Sequence, residues 1–91
     1  MSMAYKLLIA DERQWRKDCA MIPKKTLQLL LRRIRALEND PWTEDVAVKK
    51  LQDYRVADFR LRVGDYRVLF HKHEEPKEIH LLRVLHRSKL Y

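Results

Sequence analysis

Residues 56–70 read Val-Ala-Asp-Phe-Arg-Leu-Arg-Val-Gly-Asp-Tyr-Arg-Val-Leu-Phe, and this block constrains the chain more than any other. Its apolar–polar alternation has the two-residue period of a strand. A two-residue turn opened by glycine suits a tight hairpin of type II′. With Gly64-Asp65 as the loop, Val63 pairs with Tyr66, Leu61 with Val68 and Phe59 with Phe70. Paired residues share a face, so these six form one apolar surface for helices to cover. The other face receives Arg62 beside Arg67, Arg60 beside Leu69, and His71 further along. Like charges placed directly across a ladder destabilise it by roughly 0.2–1 kcal/mol. Folding alone gives little reason for that arrangement. A bound anion that neutralises both arginines does, because the guanidinium fork matches phosphate oxygens at two points. The alternative is a solvated face balanced by Asp58 and Asp65.

Gly64 is the only glycine among 91 residues, which excludes a Gly-rich phosphate cradle or dinucleotide fingerprint. A lone cysteine, Cys19, excludes an internal disulfide or a Cys-based zinc site, and points to a reducing cytoplasm. No apolar run approaches the ~18 residues of a membrane span. The opening Met1-Ser2-Met3-Ala4-Tyr5 carries no signal-peptide pattern, so a cytoplasmic protein without a membrane partner is expected. Hydrophobic residues make up 46%, enough for a small core. The net charge of +7 suggests a polyanionic partner, with nucleic acid first. That excess is unevenly spread. Residues 1–48 hold 9 basic and 7 acidic groups, whereas residues 49–91 hold 11 and 6.

The remaining elements follow from periodicity and punctuation. Tyr5 to Ile9 reads as a first strand, and Asp11 as the cap of a helix from about Glu12 to Met21. That helix sets Trp15, Asp18, Cys19 and Ile22 near one face. After Pro23, Leu27, Leu30, Leu31, Ile34 and Leu37 recur at helical spacing, with Leu27, Leu31 and Ile34 expected in the core. Glu38-Asn39-Asp40-Pro41 ends this helix. Val46 to Leu51 is a candidate short strand or entry segment, and Ile79 to Arg87 is the last strand. Both faces of Ile79–Arg87 are largely apolar, so its orientation is open. The expected architecture is α+β, one small domain over 1–91. Its order is β-α-α-β-β-β, with an antiparallel helical hairpin on a mainly antiparallel sheet.

Other chemistry is weakly signalled. His71 and His73 lie two apart beside Glu74, but no closed ligand set accompanies them, and no metal is expected. Cys19 reads as buried filler, and Trp15 and Trp42 as packing residues. Arg83 and Arg87 on the last strand are candidates to join the arginine face.

Taken together, the Tyr5 strand, the helical hairpin, Lys50-Leu51, the block Phe59 to Phe70 and the close Arg83-Val84-Leu85-His86-Arg87-Ser88-Lys89-Leu90-Tyr91 resemble the RelE/ParE toxin superfamily. The resemblance implies a RelE-like fold and a toxin held by a cognate antitoxin. RelE-type members cleave messenger RNA, commonly in the ribosomal A site, whereas ParE-type members poison DNA gyrase. The ending His86-Arg87-x-x-x-Tyr91 is similar to the RelE type, where the arginine and the terminal tyrosine belong to the active site. By the same matching, Arg60 and Arg62 fall on two basic residues, often lysines, and Arg67 on an arginine of the next strand.

The implied activity is a metal-independent, cofactor-free endoribonuclease. The RNA's own 2′-hydroxyl attacks the adjacent phosphate, giving a 2′,3′-cyclic phosphate and a 5′-hydroxyl. Arg67, Arg87, Tyr91 and His86 are the implied catalytic residues, with Arg60, Arg62, Lys50 and Arg83 binding substrate. Arginine at 60 and 62 cannot act as a general base, which leaves His86 as the titratable neighbour. The alternatives are a gyrase inhibitor and a non-catalytic RNA-binding module.

Overall fold

The computed structural model describes residues 3–40, 48–52 and 57–89. Its strands are β1 (Met3–Ala4), β2 (Lys6–Ile9), β3 (Asn39–Asp40), β4 (Val48–Lys50), β5 (Phe59–Val63), β6 (Tyr66–His73) and β7 (Glu78–His86). Its helices are α1 (Glu12–Ala20) and α2 (Lys24–Arg35), with 3-10 turns at Ala36–Glu38 and Arg87–Lys89. Five strands form one sheet in the order β2-β7-β6-β5-β4. The ladders are antiparallel except β2 with β7, which run parallel, so the sheet is mixed. The fold is α+β, as the sequence implies.

Local chemistry accounts for the boundaries. The Asp11 carboxylate accepts the Gln14 N–H at 3.1 Å, satisfying one of the unpaired donors that open α1. Pro23 stands just before α2, where a missing N–H costs nothing. Met3–Ala4 pairs with Asn39–Asp40 in a two-residue ladder that the sequence pattern does not announce. Tyr5 N–H donates to the Glu38 carbonyl at 2.7 Å beside it.

The core lies between the helices and one sheet face. Leu30, Ile34 and Leu37 from α2 and its 3-10 extension are buried with Trp15 and Ile22 against Leu61, Val68 and Phe70. Leu31 is a correction: it is 48% exposed, and Leu30 occupies the buried position instead. Leu27, Leu30, Ile34 and Leu37 follow the helical period, and Leu31 falls outside that stripe. Trp42 and Val56 lie outside the described residues, as does the start of the Val46–Leu51 segment. Among the described residues, no helix is long and apolar enough to cross a membrane.

Candidate functional site on the open face of the sheet

The hairpin adopts the register that alternation dictates. Phe59 stands across from Phe70, Leu61 from Val68, Val63 from Tyr66, and Arg62 from Arg67. The first three pairs face the helices, and the Phe59 and Phe70 rings stack 5.5 Å apart. Gly64 takes φ +57, a conformation L side chains rarely adopt, so the turn needs its glycine. Arg62 and Arg67 therefore lie side by side on the sheet face opposite α1 and α2, with Arg60 two residues along and the buried Leu69 across from it.

The turn organises these cations. Arg67 Nη1 donates to the Gly64 and Tyr66 carbonyls, both at 2.9 Å, which fixes its guanidinium against the turn backbone. The Arg87 N–H donates to the Asp65 carbonyl at 2.7 Å, bringing the end of β7 to the same corner. Its guanidinium Nε lies 3.6 Å from Asp65 Oδ1. Arg62, Arg67 and Arg87 thus gather around Gly64-Asp65 from three consecutive strand segments.

Three residues implied by the resemblance lie elsewhere. Lys50 registers with Phe59 and so belongs to the helix-facing side, whereas Lys49 registers with Arg60 and joins the cationic face. Strand parity carried from Leu61 through Val48 would have identified Lys49. Arg83 turns to α1, where Nε and Nη2 donate to the two oxygens of Asp18 at 2.8 and 3.0 Å. A register shift of β7 against β6, opposite Leu69 and Phe70, breaks the parity of this strand. That shift is why parity alone could not orient it. Burial raises the Asp18 carboxyl, but bonds from Arg83, the Val84 N–H and Gln14 outweigh it and hold the group below its ordinary value.

His86 stands across from Tyr66 on the helix-facing side, with the two rings edge to face at 5.3 Å. The Ser88 N–H donates to His86 Nδ1 at 3.2 Å, which in the neutral ring leaves the proton on Nε2. His86, Tyr66 and Arg83 line a groove of about 450 Å³ between α1 and the end of β7. Tyr91 lies outside the described residues. Among the described residues, no three His, Cys, Asp or Glu side chains are arranged to hold a metal ion.

A sheet face with clustered guanidinium groups can bind an extended polyanion, and it can stabilise charge developing on a phosphate. A family profile described as the ParE toxin of type II toxin–antitoxin systems, parDE, matches residues 11–91. No curated protein sequence matches the chain. Among solved structures, the archaeal RelE–RelB complex from Pyrococcus horikoshii is similar at 29% identity, TM-score 0.74, over 96% of this chain and 99% of that one. The RelB–RelE antitoxin–toxin complex from Methanococcus jannaschii is similar at 26% identity, TM-score 0.71, over 92% and 94%. The RelBE2 toxin–antitoxin complex from Mycobacterium tuberculosis shares the fold at 24% identity, TM-score 0.75, over 96% and 95%.

Proposed function

The chain belongs to the ParE toxin family of type II toxin–antitoxin systems, and from that premise we propose that it is a RelE-type endoribonuclease acting on messenger RNA. The observation that carries this reading is the position of Arg62 directly across from Arg67, with Arg87 at the turn beside them. Like charges placed directly across a ladder, as Arg62 and Arg67 are, cost stability that a bound polyanion would offset. The likeness to RelE toxins, rather than the family profile, supports RNA as that polyanion.

In the proposed reaction the 2′-hydroxyl of the RNA attacks the adjacent phosphorus, and the bond from phosphorus to the 5′-oxygen breaks. One proton leaves the 2′-oxygen and one reaches the departing 5′-oxygen. Arg60, Arg62 and Arg67 hold the phosphates on either side. Arg87, on the same corner, balances charge on the phosphorane. Tyr91 is assigned from sequence to base stacking or proton transfer. His86 faces the groove on the other side, so its contribution is to orient the segment that carries Arg87. The toxin acts in the cytoplasm, on translating ribosomes, and a cognate antitoxin of the RelB kind neutralises it.

A second reading, a gyrase poison, is favoured by the ParE description of the matching family profile. One experiment separates the two. The protein is expressed without its antitoxin, and RNA 5′ ends and DNA breaks are mapped in the same cells. Codon-positioned 5′-hydroxyl ends on translated messages are the expected outcome. Gyrase-linked DNA breaks without RNA cuts would overturn the ribonuclease reading. Intact nucleic acids of both kinds would leave a binding module.

A further inference from the structure

The sheet face opposite α1 and α2 does not end at the arginines: beyond the buried Leu69 it carries three histidines. Along β6, residues 67, 69, 71 and 73 project to one side, because alternate residues of a strand share a face. His71 stands across from His80, and His73 across from Glu78. The His73 and His80 ring centroids are 4.4 Å apart, and those of His71 and His73 are 6.2 Å apart. Two of the rings are held by carboxylates: His71 Nδ1 lies 3.0 Å from Asp58 Oδ2, and His80 Nε2 lies 3.0 Å from Glu78 Oε1. His71 and His80 side chains are 31% and 32% exposed, and His73 is exposed. From β2, Lys6 registers with Glu78 and Leu8 with His80.

This patch differs chemically from the arginine corner. Asp58 and Glu78 oppose a phosphate, so a second anion site is disfavoured there. Oriented imidazole rings on an exposed face are instead platforms on which unpaired bases stack. Carboxylate oxygens beside them can accept hydrogen bonds from the exocyclic amino groups of adenine and cytosine, which uracil lacks. The distance also fits one strand of nucleic acid. His71 lies four positions beyond Arg67 along β6, about 13 Å at the usual strand rise.

Resting on the RNA reading above and extending it, we propose that His71, His73 and His80 form a base-binding subsite. It takes an amino-bearing nucleobase of single-stranded RNA, a few nucleotides from the phosphate held by Arg62, Arg67 and Arg87. The subsite gives the toxin a preference in sequence that the arginines, which touch only backbone, cannot supply.

The test is fluorescence anisotropy with 2′-O-methyl oligonucleotides, which cannot undergo the reaction. A dinucleotide is too short to reach beyond the arginines, whereas an octanucleotide reaches both regions. His73→Ala should weaken octa-adenylate binding roughly tenfold and leave the dinucleotide unchanged. His73→Phe, which keeps a ring, should recover most of the loss. The wild type should bind octa-adenylate several-fold more tightly than octa-uridylate, and His73→Ala should not discriminate. Arg62→Ala should weaken both lengths. If His73→Ala and His80→Ala bind the octanucleotide like wild type while Arg62→Ala does not, the subsite is overturned and the RNA reading stands. Equal losses at both lengths in the histidine variants would also overturn it. If the wild type binds neither oligonucleotide, the RNA reading fails, and the subsite with it.

Discussion

The Asp18 carboxylate on α1 and the Arg83 guanidinium on β7 form a two-point pair across 65 residues of chain, at 2.8 and 3.0 Å. The same carboxylate accepts the Val84 N–H at 3.0 Å, next to the register shift of β7. One buried side chain on α1 therefore stabilises the irregular stretch of strand that leads to Arg87. Asp18→Ala removes these bonds and leaves a buried amide without its acceptor. The expected cost is about 2 kcal/mol, below the figure for a fully buried ion pair because Arg83 is partly exposed. For a domain of this size that is a fall in Tm of roughly 10 °C. Thermal melts of the two proteins measure it, and a shift within about 2 °C would show the pair to be dispensable.

Stability should also depend on acid through this residue. Burial raises the Asp18 carboxyl, but hydrogen bonds from Arg83, the Val84 N–H and Gln14, with the Arg83 charge, lower it further than burial raises it. A depressed folded pKa contributes stability that is complete above the unfolded value of about 4. That contribution is lost as pH falls through the folded value. Asp18→Asn has no such dependence. In urea titrations the gap between wild type and Asp18→Asn should be constant near neutrality and close below about pH 4. A gap of the same size in strong acid would assign the effect to packing.

The sequence disclosed the hairpin fully, and β7 only in part. Period-two alternation about one glycine leaves a single register that buries Leu61, Val63, Val68 and Phe70, because a slip by one residue would bury the arginines instead. Arg62 and Arg67 came with that register. The last strand is apolar on both faces and changes parity at its bulge, so only the partner of Arg83 on α1 fixes which way it points. Helical periodicity located α2 but not its buried edge, since Leu30 and Leu31 are equally apolar neighbours. The histidine row was invisible for a different reason. His80 joins His71 and His73 through strand pairing, and neither spacing nor composition signals that contact.

Arg62 should separate folding from binding. Its side chain is exposed and directly opposes Arg67, so Arg62→Ala is expected to stabilise the fold by a few tenths of a kcal/mol at low salt. The same variant should bind RNA more weakly. Losing one phosphate contact would flatten the dependence of log affinity on log salt by about 0.7 for a single strand. Denaturant curves and salt titrations on one preparation read both effects. A destabilised variant with an unchanged salt slope would make Arg62 a structural residue.

Gly64 tests the turn. A methyl group at this position would have no other atom within 4 Å, so Gly64→Ala meets no clash and its cost comes from φ +57 alone. The expected loss is about 1 kcal/mol, typical of an L residue held in this region. Because Arg67 and Arg87 are anchored to the turn backbone, RNA cleavage should fall by more than the loss of folded protein explains. Cleavage per folded molecule, at a temperature where both proteins are native, is the deciding measurement. Wild-type values there would uncouple the turn from the site.

Arg87 distinguishes chemistry from scaffold most sharply. Its side chain is 64% exposed and meets the 62% exposed Asp65 at 3.6 Å, an ion pair of a kind that contributes little to stability. The contact that fastens this segment to the turn is its backbone N–H, which any substitution but proline preserves. Arg87→Ala should therefore melt within about 2 °C of wild type and still bind antitoxin. Its cleavage should fall by about two to three orders of magnitude, the usual cost of removing one group that stabilises transition-state charge. Arg87→Lys keeps the charge but loses the planar fork, so its activity should fall between the two. Full activity in Arg87→Ala would remove this residue from the proposed reaction. Unfolding of the variant would instead mean that the side chain, and not only its backbone, holds the end of β7.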